Sequence, residues 1–170
     1  ITNVMAGYGA KMMDKIDTIN VRFAGYNYIP QKQHFVVPYS MYTIVDEFTA
    51  RPAVFKNGRM TFVKPITGRA LEYFPKPINE VKTFYTLHSE VATFPLSFRK
   101  KGLQNCDFKV AFDEDFVHDV RLLVEAGLTS KKPINIGGTK IRPIDHTVKE
   151  FNRLVPESKK NRDIDSRTAK

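Results

Sequence analysis

Hydrophobic and polar residues follow two periods along this chain. From Asp17 to Phe23 they alternate, with Ile19, Val21 and Phe23 on one side and Thr18, Asn20 and Arg22 on the other, which predicts a strand with one wet face. Asn57-Gly58 lies between Val54-Phe55 and Met60-Thr61-Phe62-Val63, and Gly137-Gly138 lies between Ile134-Asn135-Ile136 and Thr139-Lys140-Ile141. Both pairs predict two-residue hairpins, whose turn positions need positive φ. A strand Phe84-Tyr85-Thr86-Leu87 delivers His88-Ser89-Glu90 into a turn, and a further alternating segment runs from Asp107 to Phe112. The 3.6-residue period appears elsewhere. A helix over 114–126 presents Phe116, Val120, Leu123 and Val124, with Asp113 as its cap and Gly127 as its stop. Pro143 opens a last helix whose buried side is Ile144, Val148, Phe151 and Leu154. Near the start, Ile1, Met5, Tyr8 and Met12 share a helical face, and Ala6, Gly7, Gly9 and Ala10 make another part of that helix small enough for close packing. Strands outnumber helices and the hairpins are antiparallel, so the expected class is α+β: a one-sided, mostly antiparallel sheet with helices on one face.

A length of 170 residues with 42% apolar content suits one compact domain, expected over 1–156. Residues 157–170 hold one sizeable apolar residue, Ile164, and read as a polar tail or an interrupted connection. The chain enters a helical pattern with no capping residue before Ile1, which leads us to expect a longer protein. It shows no secretory leader pattern and no run of eighteen apolar residues, so neither export nor membrane insertion is expected. Cys106 cannot form an intrachain disulfide, since it is the only cysteine, and it reads as a small strand residue in a cytoplasmic protein. The net charge of +9 is spread over Lys56, Lys64, Arg99, Lys100, Lys101, Lys131, Lys132 and the tail, with no RNA-recognition, zinc-finger or zipper pattern. Nucleic acid is therefore not an expected partner.

Candidate chemistry centres on His88, Ser89 and Glu90. An imidazole, a hydroxyl and a carboxylate in consecutive positions at a strand end place an acid/base pair at a sheet edge, which core packing does not require. The structural alternative is a histidine bonded to a backbone carbonyl, with Ser89 capping a helix that Glu90 begins. Arg99 in Arg99-Lys100-Lys101 can fork onto a substrate carboxylate, and Arg51 and Arg69 are comparable candidates. His118 and His146 fall on the polar sides of their helices, and His34 lies in a polar loop. No histidine pair has the spacing of a zinc helix, so no metal is expected. Gly7-Tyr8-Gly9 lacks the third glycine and the preceding strand of a dinucleotide turn.

Tyr85-Thr86-Leu87-His88-Ser89-Glu90-Val91-Ala92-Thr93-Phe94-Pro95, followed by Lys101-Gly102-Leu103 and Asp107-Phe108-Lys109-Val110, resembles the C-terminal catalytic domain of the saccharopine dehydrogenase and lysine 6-dehydrogenase-like oxidoreductases. Ile1 to Ala10 is similar to the helix that follows the family's nucleotide domain, and Lys140 to Asp145 to its closing corner. The resemblance implies a fold like the C-terminal domain of glyceraldehyde-3-phosphate dehydrogenase. It also implies NAD or NADP, held mainly by a domain outside this chain, and hydride transfer at a carbon bearing nitrogen. His88 and Glu90 would be catalytic, with Ser89, Thr93, Arg99 and Asn3 binding an amino-acid or polyamine-type substrate, in a homodimer built through the sheet. A carboxynorspermidine or homospermidine type of enzyme is a variant within the family. A binding or dimerisation module without chemistry is the alternative outside it.

Overall fold

A computed structural model describes residues 1–26 and 35–154. It resolves the chain into two compact units, Ile1–Arg121 and Leu122–Lys170, so the division falls near the end of one helix. His34 and the tail 157–170 lie outside the described residues.

The first unit holds helices α1 (Thr2–Lys11), α2 (Met41–Thr49), α3 (Glu90–Phe98) and most of α4 (Glu114–Glu125). Its strands are β1 (Thr18–Phe23), β2 (Ala53–Lys56), β3 (Arg59–Phe62), β4 (Ala70–Phe74), β5 (Asn79–Tyr85) and β6 (Asn105–Ala111). They form one six-stranded sheet organised around β6. One edge of β6 takes β1 in parallel from Asn105 to Val110. The other edge is shared by β2, which pairs at Cys106, and β5, which pairs from Lys109 to Ala111. Both of these pairings are antiparallel, so the sheet is mixed and the fold α+β, as the patterning predicted. The exception is β1. Its alternation marks a strand with one wet face, but alternation carries no information about direction, and its pairing is parallel.

Period two decides which face of β6 is covered. Cys106, Phe108 and Val110 are buried on one side, where the Cys106 thiol donates to the Val91 carbonyl of α3 at 3.8 Å. Pro95 has no N–H to offer that carbonyl, so the thiol occupies a position that the helix leaves open. Phe112 continues the same side and packs on Phe48 of α2, with ring centroids 5.6 Å apart. The opposite side carries Asp107 and Lys109.

The hairpin turns behave as predicted: Asn57 and Gly58 join β2 to β3 at φ 51° and 72°. Asp113 accepts the Asp115 N–H at 2.9 Å and caps α4, whose buried positions are Val117 and Val120. Along α1 the expected close packing is realised at Ala10, which is buried, whereas Ile1, Met5, Tyr8 and Met12 are exposed among the described residues.

The second unit takes in the last turn of α4 from Leu122, and the chain leaves that helix at Gly127 with φ 75°. A separate hairpin pairs β7 (Ile134–Ile136) with β8 (Thr139–Ile141) through Gly137-Gly138. Helix α5 (Pro143–Leu154) follows, tied down where Thr147 Oγ1 donates to the Leu128 carbonyl at 2.7 Å and the Ile144 N–H donates to Ser130 at 3.2 Å. Ile144 is fully buried, and Val148 and Phe151 are half-buried. The Leu154 side chain lies outside the described residues.

Candidate functional site

His88 follows β5 by three residues and precedes α3 by two, so the strand sets its side and the helix sets its neighbours. Phe84, Thr86 and His88 succeed one another at period two. The His88 ring lies against Phe108 of β6, with centroids 3.7 Å apart and planes 12° from parallel. Two carboxyl groups flank it edge-on. Glu47 Oε1 of α2 is 3.7 Å from Nε2, and Glu90 Oε2 of α3 is 3.7 Å from Nδ1. Neither distance is a hydrogen bond, so the imidazole is bracketed and its buried Nε2 has no partner among the described residues. Thr86 Oγ1 is likewise buried without one.

Each flanking carboxyl has its own anchor. Tyr39 donates its hydroxyl to Glu47 Oε2 at 2.5 Å, and Thr2 of α1 donates to Glu90 Oε1 at 2.5 Å. Thr93 of α3 donates to Asn3 Oδ1 at 3.0 Å, which fastens the start of α1 beside the same turn.

These environments push the groups apart. Burial raises the Glu47 carboxyl above its ordinary value, and the Tyr39 hydrogen bond only partly opposes this. Burial lowers the His88 imidazole, against the pull of Glu90. For Glu90 burial acts upward but is outweighed by the Thr2 hydrogen bond, its own backbone N–H, the nearby imidazole and Ser89, so it lies below the ordinary carboxylate range. At neutral pH the arrangement is a neutral imidazole with an ionised Glu90 at one edge, and at the other a carboxyl that holds its proton more tightly than a free one. Groups separated in this way can pass a proton in either direction.

Of the residues singled out in the sequence, the structure brings His88, Ser89, Glu90, Thr93 and Asn3 together. Ser89 begins α3, and its backbone carbonyl accepts the Ala92 and Thr93 N–H groups at 3.0 and 3.2 Å. Its hydroxyl caps nothing; it contacts Glu90 Oε2 at 3.4 Å. Arg99 stands apart, in the short 3₁₀ turn Arg99–Lys101 after α3, about 13 Å along the axis from the helix start at 1.5 Å per residue. Arg51 donates to the Phe62 carbonyl and Arg69 pairs with Glu114. His118 and His146 are exposed. A pocket of about 450 Å³ opens elsewhere in the first unit, among Leu71, Val81, Lys82, Phe112 and Glu114. It is lined by Glu80, Asp113 and Glu114 with one cation, Lys82, which pairs with Glu114, and it holds no histidine, so the converging acid/base groups at His88 mark the better site.

Glu47, Tyr39, Thr2 and Thr86 join the cluster without having been singled out in the sequence. Glu47 had a legible signal: Met41, Ile44, Val45 and Phe48 form a buried helical stripe, and Glu47 falls on it at Ile44 plus three, 4% exposed. An ionisable residue on an apolar stripe needs a partner.

The fold has a solved counterpart. A structure of histidine-tagged apo saccharopine dehydrogenase (L-Glu forming) from Saccharomyces cerevisiae superposes with a TM-score of 0.50 over 71% of this chain, at 14% identity. The match covers 29% of that protein, so this chain corresponds to less than a third of its length. No protein-family model matches the chain. The shared architecture is that of a domain found within an oxidoreductase.

Gly7 and Gly9 do not make a nucleotide-binding turn: both sit inside α1, with nothing within 4 Å of where their side chains would be. No group of three or more metal-ligating side chains occurs among the described residues, and none of their helices is long and apolar enough to cross a membrane.

Proposed function

We propose that this chain is the substrate-side domain of an oxidoreductase that acts on a carbon bearing nitrogen, with an amino acid of the saccharopine or lysine type as substrate. The observation that carries the reading is the His88 imidazole, bracketed by Glu47 and Glu90 with its Nε2 unpartnered. The fold shared with saccharopine dehydrogenase supports it. His88 moves the proton as the nitrogen centre gains or loses one, and a neutral imidazole is suited to accepting it. Glu90, ionised and steadied by Thr2, holds a substrate ammonium or orients the imidazole. Asn3 and Thr93 fix the turn that shapes the site. Arg99 lies too far along α3 to share a small substrate with His88, so in this reading it serves a distal carboxylate. NAD or NADP would be bound outside these residues, and the active form would be a homodimer through the sheet.

The test is made in the complete gene product, assayed for NAD(P)-linked turnover of saccharopine, lysine and carboxyspermidines. His88→Ala lowers kcat by about 10²-fold to 10⁴-fold, the range for a general acid/base, while His118→Ala changes little. Glu90→Gln loses activity too, and less than additively with His88→Ala if it acts through the imidazole. Turnover of carboxyspermidines alone would move the enzyme to the polyamine branch. Normal turnover by His88→Ala across pH 6 to 10 would remove the imidazole from the mechanism.

A further inference from the structure

His88 meets its surroundings through two unlike nitrogens. Nε2 is sealed from solvent and has no hydrogen-bond partner among the described residues, whereas Nδ1 is not buried and the side chain keeps 28% of its surface exposed. A substrate therefore reaches the ring at Nδ1, beside Glu90, and whatever serves Nε2 comes from the protein. Among the described residues the ionisable group that stands there is Glu47, with Oε1 3.7 Å away. The gap lies just beyond the hydrogen-bond range and is too narrow for a bridging water, since two such bonds in a bent chain span about 5 Å. A small turn of the carboxyl closes it. Thr86 Oγ1, the other buried atom without a partner, does not bond the ring.

Glu47 is 4% exposed on the apolar stripe of α2, and its second oxygen, Oε2, accepts the Tyr39 hydroxyl at 2.5 Å. With Oε2 committed as an acceptor, a proton on Glu47 belongs on Oε1 and points at Nε2. Without that proton, Oε1 accepts from an Nε2–H. Both cases complete the bond, and they require opposite tautomers of the neutral ring. The other charge facing the imidazole is Glu90 of α3, whose carboxylate favours a proton on Nδ1; β6 presents only the Phe108 ring. Burial disfavours an imidazolium at His88 and a bare carboxylate at Glu47, so a proton passed through the ring is less costly than one stored on it.

We propose that Glu47 is the proton partner of His88, a positioning residue that exchanges one proton with Nε2 while Nδ1 exchanges one with the substrate. The inference rests on the reading of His88 as the group that moves the proton. As Nδ1 takes a proton from the substrate nitrogen, the Nε2–H bond breaks and its proton forms an O–H bond on the Glu47 carboxylate. The ring is neutral before and after, and nothing is oxidised. The reverse sequence delivers a proton from Glu47 to the substrate. Tyr39, 39% exposed, connects Glu47 to solvent, through which the carboxyl loses or regains its proton.

The test reads the tautomer. In the isotope-labelled full chain, long-range proton–nitrogen NMR spectra distinguish Nδ1–H from Nε2–H, and the His88 signals are those that vanish in His88→Gln. At pH 9 the parent carries Nε2–H, donated to the buried Glu47 carboxylate. Glu47→Gln carries Nδ1–H, because Tyr39 holds the amide oxygen and turns the amide nitrogen toward Nε2. The same tautomer in both proteins would overturn the proposal. In the complete gene product Glu47→Gln lowers kcat about 10²-fold or more with KM little changed, and urea unfolding shows its fold intact. A parent-like kcat would overturn the proposal as well. Absence of turnover with saccharopine, lysine and carboxyspermidines would refute the oxidoreductase reading alone, and the tautomer comparison at pH 9 would still decide the pairing of Glu47 with His88.

Discussion

Glu47→Gln tests the electrostatics of the His88 site without removing its packing. The side chain is 4% exposed, accepts from the Tyr39 hydroxyl, and faces the unpartnered His88 Nε2 at 3.7 Å. A carboxyl whose native proton affinity is raised by burial binds its proton more tightly folded than unfolded. That contribution to stability is complete below the ordinary value of 4.5 and is lost as pH rises through the raised native value. Glutamine has the same shape, can accept from Tyr39 through its amide oxygen, and cannot ionise. The variant should therefore match the parent at pH 4 and become relatively more stable as pH rises. The gain is about 1.4 kcal/mol for each unit by which the fold raises Glu47. Urea unfolding at pH 4, 6 and 8 measures it. Glu47→Ala is the contrast: it empties a buried position and should be less stable than Glu47→Gln at every pH, while Tyr39, 39% exposed, can turn its hydroxyl to water. Histidine NMR gives a second reading: burial and Glu90 set the His88 imidazole, with no contribution from Glu47, so the Gln variant should leave its lowered titration in place. A Gln variant that loses ground to the parent as pH rises, or whose His88 titrates distinctly lower, would show that Glu47 is ionised beside the imidazole.

Two further outcomes follow from backbone and burial. Gly68 has φ +65°, and a Cβ there would stand 2.0 Å from Tyr85 Cε2; Gly68→Ala should cost about 2–4 kcal/mol in urea unfolding, combining left-handed strain with overpacking. Gly127→Ala, at φ +75° with open space around it, should cost only the strain, about 1–2 kcal/mol, and equal losses at the two sites would refute the Tyr85 contact. The Cys106 thiol is pushed up to about 11, first by burial and then by Asp107, so a disulfide reagent at pH 8 should react about 10²-fold or more slowly with the native protein than with the unfolded chain. Rapid native-state labelling would contradict its place under α3.

Elements with local signals were legible in the sequence. Asn57-Gly58 and Gly137-Gly138 announce hairpins because the turn chemistry sits in two residues, and Asp113 and Gly127 bracket α4 for the same reason. The His88-Ser89-Glu90 turn was visible as polar residues at the end of an apolar strand. Helix α2 was missed although Met41, Ile44, Val45 and Phe48 keep helical spacing, and with it went Glu47 and its link to Tyr39. Strand β4 was missed as well, and β5 begins at Asn79, well before the apolar stretch that signalled it. In these segments exposed side chains such as Leu71 and Tyr73 blur the alternation.

What no local pattern contains is the pairing across strands. Lys109 and Arg22 are 87 positions apart, and each reads in sequence as a charged residue on the wet side of a strand. The parallel register of β1 on β6 makes them neighbours, and the antiparallel register of β5 adds Tyr85. Two cations that would separate in water are thus held side by side by backbone hydrogen bonds. Glu72 and Asp107 both bond Arg22, and both also favour the charged form of Lys109. An alternating strand sends every second residue to the same face, so a polar row can assemble opposite Cys106 and Phe108 without weakening the core they build. The same parity separates this row from the His88 site: His88 stacks on the covered side of β6 at Phe108, and Lys109, one residue on, faces the other way. A substitution confined to the Lys109 face should therefore leave the His88 site intact.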